Sequence, residues 1–199
     1  MALTKIEASN VSDDTVGIAQ LSATGTAEAG TYLQGNNTWG AIAVGGITHA
    51  SQWRLTADFT SSALPISSSL DEVDAPAGFG VIGDSMEEDS GIFTFPDTGY
   101  WWIRFTASFL ATGNHNANWA IINTSTDGYT SNADVAENSL GTWADPHYVS
   151  CSVDYIMDVT NTATHQIRFG VTVGSGFTTR GDPNINETSM TFIRLASTS

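Results

Sequence analysis

Four stretches of the chain alternate between apolar and polar residues, and this pattern limits the fold more than any other feature. The clearest is YWWIRFTASF, residues 100–109. A period of two places successive side chains on opposite faces of a β-strand, so the apolar set faces a core. The pattern predicts antiparallel strands whose other face is polar, as with Arg54, Thr56 and Asp58. The predicted inward residues are Trp53, Leu55, Ala57, Phe59, Trp101, Ile103, Phe105, Ala107, Phe109, Cys151, Val153, Tyr155, Met157, Val159, Ile167, Phe169, Val171 and Val173.

The residues between these stretches favour turns. PDTG (96–99) and NTAT (161–164) have turn chemistry, and strong helix formers are scarce in a chain with 19 glycines. We therefore predict an all-β protein of eight to ten short strands with no obligatory helix. The expected architecture is an antiparallel sandwich or jelly roll.

The composition changes near residue 46, and this change predicts two parts. Residues 1–45 hold at most one strand-like patch and a turn at TYLQGNNTWGAI (31–42). Their apolar surface is too small to offset the entropy lost on ordering, about 1–2 kcal/mol per residue. We expect an extended segment that orders only when other chains supply surface, and a folded domain over residues 46–199.

Some apolar residues fall outside the alternation. In the last predicted strand, Met190 and Phe192 lie on one face while Ile193 and Leu195 lie on the other. Behind the predicted core, Tyr100 and Trp102 point outward on their strand. A strand that is apolar on both faces either lies centrally between two layers or packs on a neighbouring subunit, and an outward Trp102 is a candidate for a subunit contact. The alternative for Trp102 is an aromatic covered by a loop of the same chain.

The charge of the chain excludes some partners. The formal net charge is -15, with Lys5 as the one lysine. No basic stripe exists to neutralise phosphates, so we expect no binding to nucleic acid and none to an anionic membrane surface. No apolar run approaches the roughly 20 residues that span a bilayer. The stretch MALTKIEASNVS lacks the apolar core of a signal peptide, so we expect synthesis in the cytosol.

Catalytic motifs are absent from the sequence. There is no nucleophile elbow, no zinc-protease motif, no phosphate-binding glycine loop and no Cys/His metal spacing. The one cysteine, Cys151, lies in an alternating stretch and is expected to be a buried thiol with no disulfide. We therefore expect no enzyme activity and no cofactor.

The densest acidic run is GDSMEEDSG, with Asp84, Glu87, Glu88 and Asp89. Two interpretations remain open for residues 84–89. The run is a solvated loop, or its carboxylates bind Ca²⁺, which prefers several oxygen ligands.

The stretch SGIFTFPDTGYWWIRFTASF (90–109) resembles the signature of the C1q/TNF-like jelly roll. Gly91, Phe93, Pro96 and Gly99 fall in register with the family pattern, and the Tyr100/Trp101 pair follows. The later stretches MDVTNTATHQIRFGVTV and ETSMTFIRLA resemble the penultimate hairpin and the final central strand of that fold. The resemblance covers roughly residues 50–196, and it implies a jelly-roll head domain.

A second resemblance lies in VGIAQLSATGTAEAGTYLQGNNTWGAI (16–42), which is similar to a segment of bacteriophage fibre proteins. The matching positions are Leu21 to Thr26, Thr31, Leu33, Gly35 and Trp39. The resemblance implies a segment that joins a virion anchor to a distal trimeric head. Three copies would bring Leu33 and Trp39 together about one axis and provide the core that one chain lacks.

Together these observations predict a homotrimeric phage fibre, on the tail or the capsid, with an adhesive jelly-roll head. Residues 1–45 would bind other virion proteins, and a host surface glycan or protein would be the further partner. Recognition is expected on the loops 111–118, 127–146 and 174–187. The expected trimer or anchor contacts are Leu33, Trp39, Tyr100, Trp102, Ile193 and Leu195.

Two alternative functions remain beside the adhesive fibre. One is a capsid decoration or head-fibre protein that stabilises the shell without binding a receptor. The other is a depolymerase, which usually needs a much longer β-helix than 199 residues allow. The protein would be made in the host bacterial cytoplasm and located on the virion.

Overall fold

A computed structural model describes residues 24–26, 28, 30–41, 46–74, 80–111, 118–141 and 147–198. The chain divides into two compact units, Met1–Gly45 and Gly46–Ser199.

The described part of the first unit contains an antiparallel hairpin. Strand β1 (Thr31–Leu33) pairs with β2 (Trp39–Ala41), and Leu33 lies directly opposite Trp39. In the turn, the Asn37 amide donates to the Gln34 carbonyl at 2.9 Å, and Asn37 has φ of 63°, a conformation that Asn tolerates. The prediction of at most one strand before residue 46 was wrong, because the turn residues close a second strand onto the first.

The second unit is a sandwich of two antiparallel sheets, and no helix occurs in the described ranges. Within its described residues this unit has eleven strands, β3 to β13, which exceed the eight to ten predicted because several have only three residues. They are β3 (Ala50–Leu55), β4 (Leu70–Glu72), β5 (Glu87–Asp89), β6 (Ile92–Thr94), β7 (Gly99–Ala111), β8 (Asn118–Ser125), β9 (Ala133–Leu140), β10 (His147–Val159), β11 (Gln166–Thr172), β12 (Phe177–Thr179) and β13 (Ser189–Ala196).

The two sheets have different strand orders. The six-stranded sheet runs β10-β7-β13-β3-β4, with β12 also paired to β7, and the five-stranded sheet runs β5-β6-β11-β8-β9. The Asn138 side chain of β9 donates to the Ser152 carbonyl of β10 at 2.9 Å, which links the sheets at one edge. The all-β class and the antiparallel sandwich predicted from the alternation are confirmed.

The core lies between the sheets and is rich in aromatic rings. Phe93 of β6 is fully buried, and its ring centroid lies 5.3–5.5 Å from those of Trp53, Phe169 and Phe192. Fully burying a Phe stabilises a fold by about 1.5–3 kcal/mol. The predicted inward residues of β7 are all 0–1% exposed: Trp101, Ile103, Phe105, Ala107 and Phe109.

Around residue 57, the alternation extended the predicted strand beyond its observed end. Strand β3 ends at Leu55, so Ala57 is exposed and Phe59 is half-buried outside the strand. Trp53, Tyr155 and Val173 are also partly exposed, although all three pack against the core.

Arg54 was predicted to face solvent, and this was wrong. Its side chain is 1% exposed, and its guanidinium Nη1 donates to the Pro183 carbonyl at 3.1 Å. The segment before β13 crosses β3 here: the Leu55 amide donates to the Thr188 carbonyl and the Asp182 amide donates to the Leu55 carbonyl, both at 2.9 Å. This segment covers the outer side of β3 at Arg54, which the alternation had predicted to be exposed to solvent.

Gly99, the first residue of β7, allows β7 and β13 to approach each other closely. Its φ is +144°, and a Cβ atom there would lie 2.4 Å from the Ala196 carbonyl oxygen. Only glycine fits such a contact with a positive φ. Beside it, the Arg194 guanidinium donates to the Thr98 carbonyl at 2.8 Å.

The acidic run at residues 84–89 is partly a strand and not wholly a loop. Glu87–Asp89 form β5, the edge strand paired with β6, and Glu88 Oε1 accepts a hydrogen bond from the Gly91 amide at 2.6 Å. Alternation along β5 places Glu88 on the opposite face from Glu87 and Asp89. Within the described ranges, no group of three or more Asp, Glu, His or Cys residues is arranged to hold a metal ion. The geometry therefore gives the calcium interpretation no support.

Candidate functional site

The outer face of the six-stranded sheet carries a row of apolar side chains across three strands. Trp102 of β7 lies directly opposite Ile156 of β10 on one side and Ile193 of β13 on the other. Directly opposed residues in an antiparallel pair point to the same face. We call Trp102, Ile156 and Ile193 the apolar row.

The apolar row is open to solvent at its β10 end. Ile156 is 57% exposed, while Trp102 and Ile193 are half-buried. Near the row, Leu195 is 52% exposed at a bulge in β13, and half-buried Tyr100 lies opposite Ala196. The structure thus brings together four of the six residues predicted as contacts; their role in assembly stays a prediction.

Ile156 was not identified from the sequence. It occupies an outward position in CSVDYIMDV, between Asp154 and Asp158, where the alternation calls for a polar residue. An apolar residue out of phase in a strand was the available signal. The same signal had identified Trp102.

The other two predicted contacts, Leu33 and Trp39, lie in the hairpin of the first unit. They are direct cross-strand partners, with Leu33 38% exposed and Trp39 half-buried. Their predicted place about a threefold axis stays a prediction.

Beyond the apolar row, the same sheet face becomes polar. Arg104 lies opposite Asp154 on β10, and the hydroxyls of Thr106 and Ser152 are 2.9 Å apart. On β13 and β3, the Gln52 side chain donates to the Thr191 hydroxyl at 3.1 Å. These polar pairs confine the apolar surface to one end of the sheet.

At the other end of the face lies a cavity of about 280 Å³, which we call the Tyr148 pocket. Its lining comes from β7, β10 and the segment before β13. The residues are Ser108, Tyr148, Val149, Ser150, Arg180 and Glu187. Tyr148 is 71% exposed, and the Arg180 guanidinium lies 5.9 Å from its ring centroid.

Arg180 is held by two carboxylates. Its Nη1 pairs with Asp58, and its Nε lies 3.3 Å from Glu187 Oε2. Partial desolvation disfavours the charged guanidinium, but the charges of Asp58 and Glu187 outweigh that effect and raise the pKa of Arg180. Nε and Oε2 are both buried from solvent and face each other as an ion pair, although they do not meet the geometry of a hydrogen bond.

Of the three loops predicted for recognition, residues 112–117 and 142–146 lie outside the described residues. The predicted loop 174–187 contains strand β12 (Phe177–Thr179), and the part after β12 contributes Arg180 and Glu187 to the Tyr148 pocket. Tyr148 and Ser108 lie on strands outside those loops, and sequence reasoning missed both.

The prediction of a loop over residues 127–146 was wrong in part, because Ala133–Leu140 form β9; the described turn before β9 is held by its own side chains. Hydrogen bonds from Ser131 and Ser125 lower the pKa of Asp127. Burial raises the pKa of Tyr129, whose hydroxyl donates to the Asn123 carbonyl at 3.0 Å. The Arg168 guanidinium lies 4.6 Å from the Tyr129 ring centroid, a cation–π contact. These contacts fix the loop to the five-stranded sheet.

The part of the chain that the structure describes has no helix with the length and apolar character to cross a membrane.

Comparison with known proteins supports the fold. No protein-family model matches the chain, and no curated protein matches its sequence. Among solved structures, it is similar to murine APRIL, a TNF-family jelly-roll protein, at a TM-score of 0.53 and 11% identity. The match covers 74% of this chain and 98% of APRIL. At such low identity the likeness shows the fold alone, and it confirms a C1q/TNF-like jelly roll.

Proposed function

We propose that this protein is a structural virion protein, a homotrimeric bacteriophage fibre whose jelly-roll head attaches to the host surface. Residues 1–45 join the head to other virion proteins. The protein is made in the host bacterial cytoplasm and resides on the virion. Its role is assembly and attachment, without catalysis or a cofactor.

The observation that carries the homotrimer is the apolar row. Ile156, an isoleucine more than half exposed, adjoins Trp102 and Ile193 on one sheet face. A contiguous apolar patch that ends at polar pairs such as Arg104 and Asp154 is typical of an association surface. A second and third copy of this chain are the partners we propose for it. The C1q/TNF-like fold agrees with this, because proteins of that fold are typically trimeric.

The assignment to a phage fibre is supported by the sequence segment 16–42, with its resemblance to fibre segments at Leu33, Gly35 and Trp39. The acidic charge of -15 favours a soluble particle component over a nucleic-acid or membrane binder.

Two measurements test the proposal. Sedimentation velocity of the purified chain at micromolar concentration should give a trimer, and a stable monomer would contradict it. Cryo-electron microscopy of the particle should then place the head at a distal position. Two results would favour the alternative, a capsid decoration protein that stabilises the shell. The head would lie flat against the capsid, and particles that lack the protein would attach to cells normally.

A further inference from the structure

The apolar row continues across the sheet beyond β13. Ile193 lies directly opposite Ala50 of β3, and Ala50 lies directly opposite Ile82 on its other side. Ala50 and Ile82 exchange both backbone hydrogen bonds, at 2.9 and 3.0 Å. Directly opposed residues of antiparallel pairs point to the same face, so five apolar side chains form one line across the outer face. We call this line the apolar belt: Ile156, Trp102, Ile193, Ala50 and Ile82.

Both ends of the apolar belt are open to solvent. Ile156 at the β10 end is 57% exposed, and Ile82 at the opposite end is 48% exposed. The three side chains between them are half-buried. Next to Ile82 in the chain, Val81 is 38% exposed and adds apolar surface at that end. An exposed isoleucine at each of two opposite edges of one face favours two separate contacts, one at each edge.

A ring of three identical chains needs two such contacts on every chain. Its interfaces are heterologous, which means that one patch of a subunit meets a different patch of the next subunit. We infer that Ile156 of one copy packs against Ile82 of the next copy, so that three apolar belts close around the threefold axis. This pairing rests on the proposed function, because it names the two surfaces that meet in the proposed trimer.

The width of the apolar belt suits a ring of three. Neighbouring strands lie about 4.8 Å apart, so the four spacings from Ile156 to Ile82 measure about 19 Å. Three faces of that width, joined at their edges, form a triangular prism in which each face lies about 5.5 Å from the axis. Two packed sheets lie about 10 Å apart, so side chains from one sheet fill about 5 Å. Trp102 and Ile193, in the middle of the belt, therefore fill the space around the axis.

A larger ring would not be filled in this way. Four faces of the same width would lie about 9.6 Å from their axis, which leaves an open channel that these side chains cannot close. Within one chain, the two ends of the belt cannot meet, because they lie about 19 Å apart on one sheet. A link between positions 156 and 82 therefore reports a contact between copies.

The test places cysteines at both ends of the belt in a Cys151→Ala background. Ile156→Cys combined with Ile82→Cys, treated with a short bismaleimide, should give covalent trimers on a denaturing gel. Either cysteine alone should give monomers, because equivalent positions of neighbouring copies lie about 19 Å apart in the proposed ring. Co-expression of the two single variants should give covalent dimers, since each mixed trimer holds one matched pair of cysteines.

Ile185→Cys combined with Ile156→Cys is the matched control. Ile185 is also exposed, at 63%, but it lies outside the belt, so this protein should give no covalent trimer.

A second measurement does not depend on cross-linking. Ile156→Glu and Ile82→Lys should each weaken the trimer by at least about tenfold, because each places a charge in an apolar contact. The double variant should associate at least about fivefold more tightly than the two single effects predict, because the opposite charges meet between copies.

Two results would overturn the pairing. One is a double-cysteine protein that sediments as a trimer and forms no covalent trimer. The other is Ile156→Cys alone linking into dimers, which would show an isologous contact. If the cysteine variant itself becomes a monomer, the charge pair decides: two strictly additive effects reject the contact between the ends. Sedimentation of the wild type keeps the two proposals apart, because a trimer whose belt ends do not link contradicts only the pairing, whereas a stable monomer contradicts the proposed trimer itself.

Discussion

Trp102 of β7 lies directly opposite Ile193 of the last strand, β13, on the outer face of the sheet. These two residues are far apart in the sequence, and only the pairing of β7 with β13 brings them together. The opposite faces of the same strands supply buried core residues, among them Ile103 and Phe192. The paired strands β7 and β13 therefore pack into the core on one face and expose an apolar surface on the other.

Ile193→Glu should shift the protein from trimer to monomer. If Ile193 is buried between copies, its loss costs about 1.5–3 kcal/mol per copy, and burying the new charges costs more. The fold should persist, because Ile193 is not part of the core cluster. Sedimentation velocity with circular dichroism measures both effects.

Ile185→Glu is the control for that change, because Ile185 is 63% exposed and lies outside the apolar row. It should remain a trimer. If Ile193→Glu also remains a trimer, the apolar row is not the subunit contact.

The alternation predicted the core well because it is a local property. One period-two run was enough to place Trp101, Ile103 and Phe105 inside. Burial of Arg54 could not be predicted in this way, since its cover comes from Pro183 and neighbours far along the chain. The Tyr148 pocket was missed for the same reason: its parts come from β7, β10 and a later loop.

The edge strand β5 was not predicted from the sequence, for a different reason. Glu87–Asp89 contain no apolar residue, so they were expected in a loop or a calcium site. They form β5 through backbone pairing with Ile92–Thr94. Backbone hydrogen bonds do not depend on hydrophobic pattern, and charged edge strands also discourage pairing with other sheets.

Arg54→Ala should destabilise the second unit by about 1.5–3 kcal/mol, because it removes a buried hydrogen bond from a charged group. It should also loosen the segment that crosses β3 at Pro183. Urea denaturation measures the free energy of unfolding, and limited proteolysis reports opening of that segment.

Arg104→Ala is the matched control. Arg104 is exposed on the same sheet face, opposite Asp154, and its loss should change stability by no more than about 0.5 kcal/mol. Equal effects of the two substitutions would show that burial of Arg54 contributes nothing.

Cys151 should react slowly with iodoacetamide. Its side chain is 7% exposed, and burial raises the pKa of the thiol above the ordinary value of about 8.5. The thiolate is the reactive form, so alkylation of the folded protein at pH 8 should be at least about tenfold slower than in concentrated urea. Mass spectrometry gives both rates.

The raised pKa of the Cys151 thiol also determines how its contribution to folding stability changes with pH. The folded state favours the neutral thiol, so this contribution to stability is complete below pH about 8.5 and is lost as pH rises through the folded pKa. A control with Cys151→Ala and Ser150→Cys moves the thiol to an exposed neighbouring position and should react at the unfolded rate. Fast alkylation of native Cys151 would contradict its burial.

Deletion of residues 1–45 should leave a folded, soluble trimer that no longer joins the particle. The core from Trp53 onward is made of residues of the second unit, so it does not need the first. Thermal melting and sedimentation of the truncated head, with incorporation into particles, measure the two effects. Aggregation or unfolding of the truncated head would show that the first 45 residues belong to the core.

Trp39→Ala should act like this deletion, but more mildly. If three copies of Trp39 are enclosed about one axis, each substitution removes a buried aromatic worth about 3–5 kcal/mol. The loss would weaken the segment that anchors the head and leave the melting transition of the head nearly unchanged. Loss of cell binding by isolated heads after truncation, with normal assembly, would reverse the assignment: the hairpin at Trp39 would then be the receptor site and not the anchor.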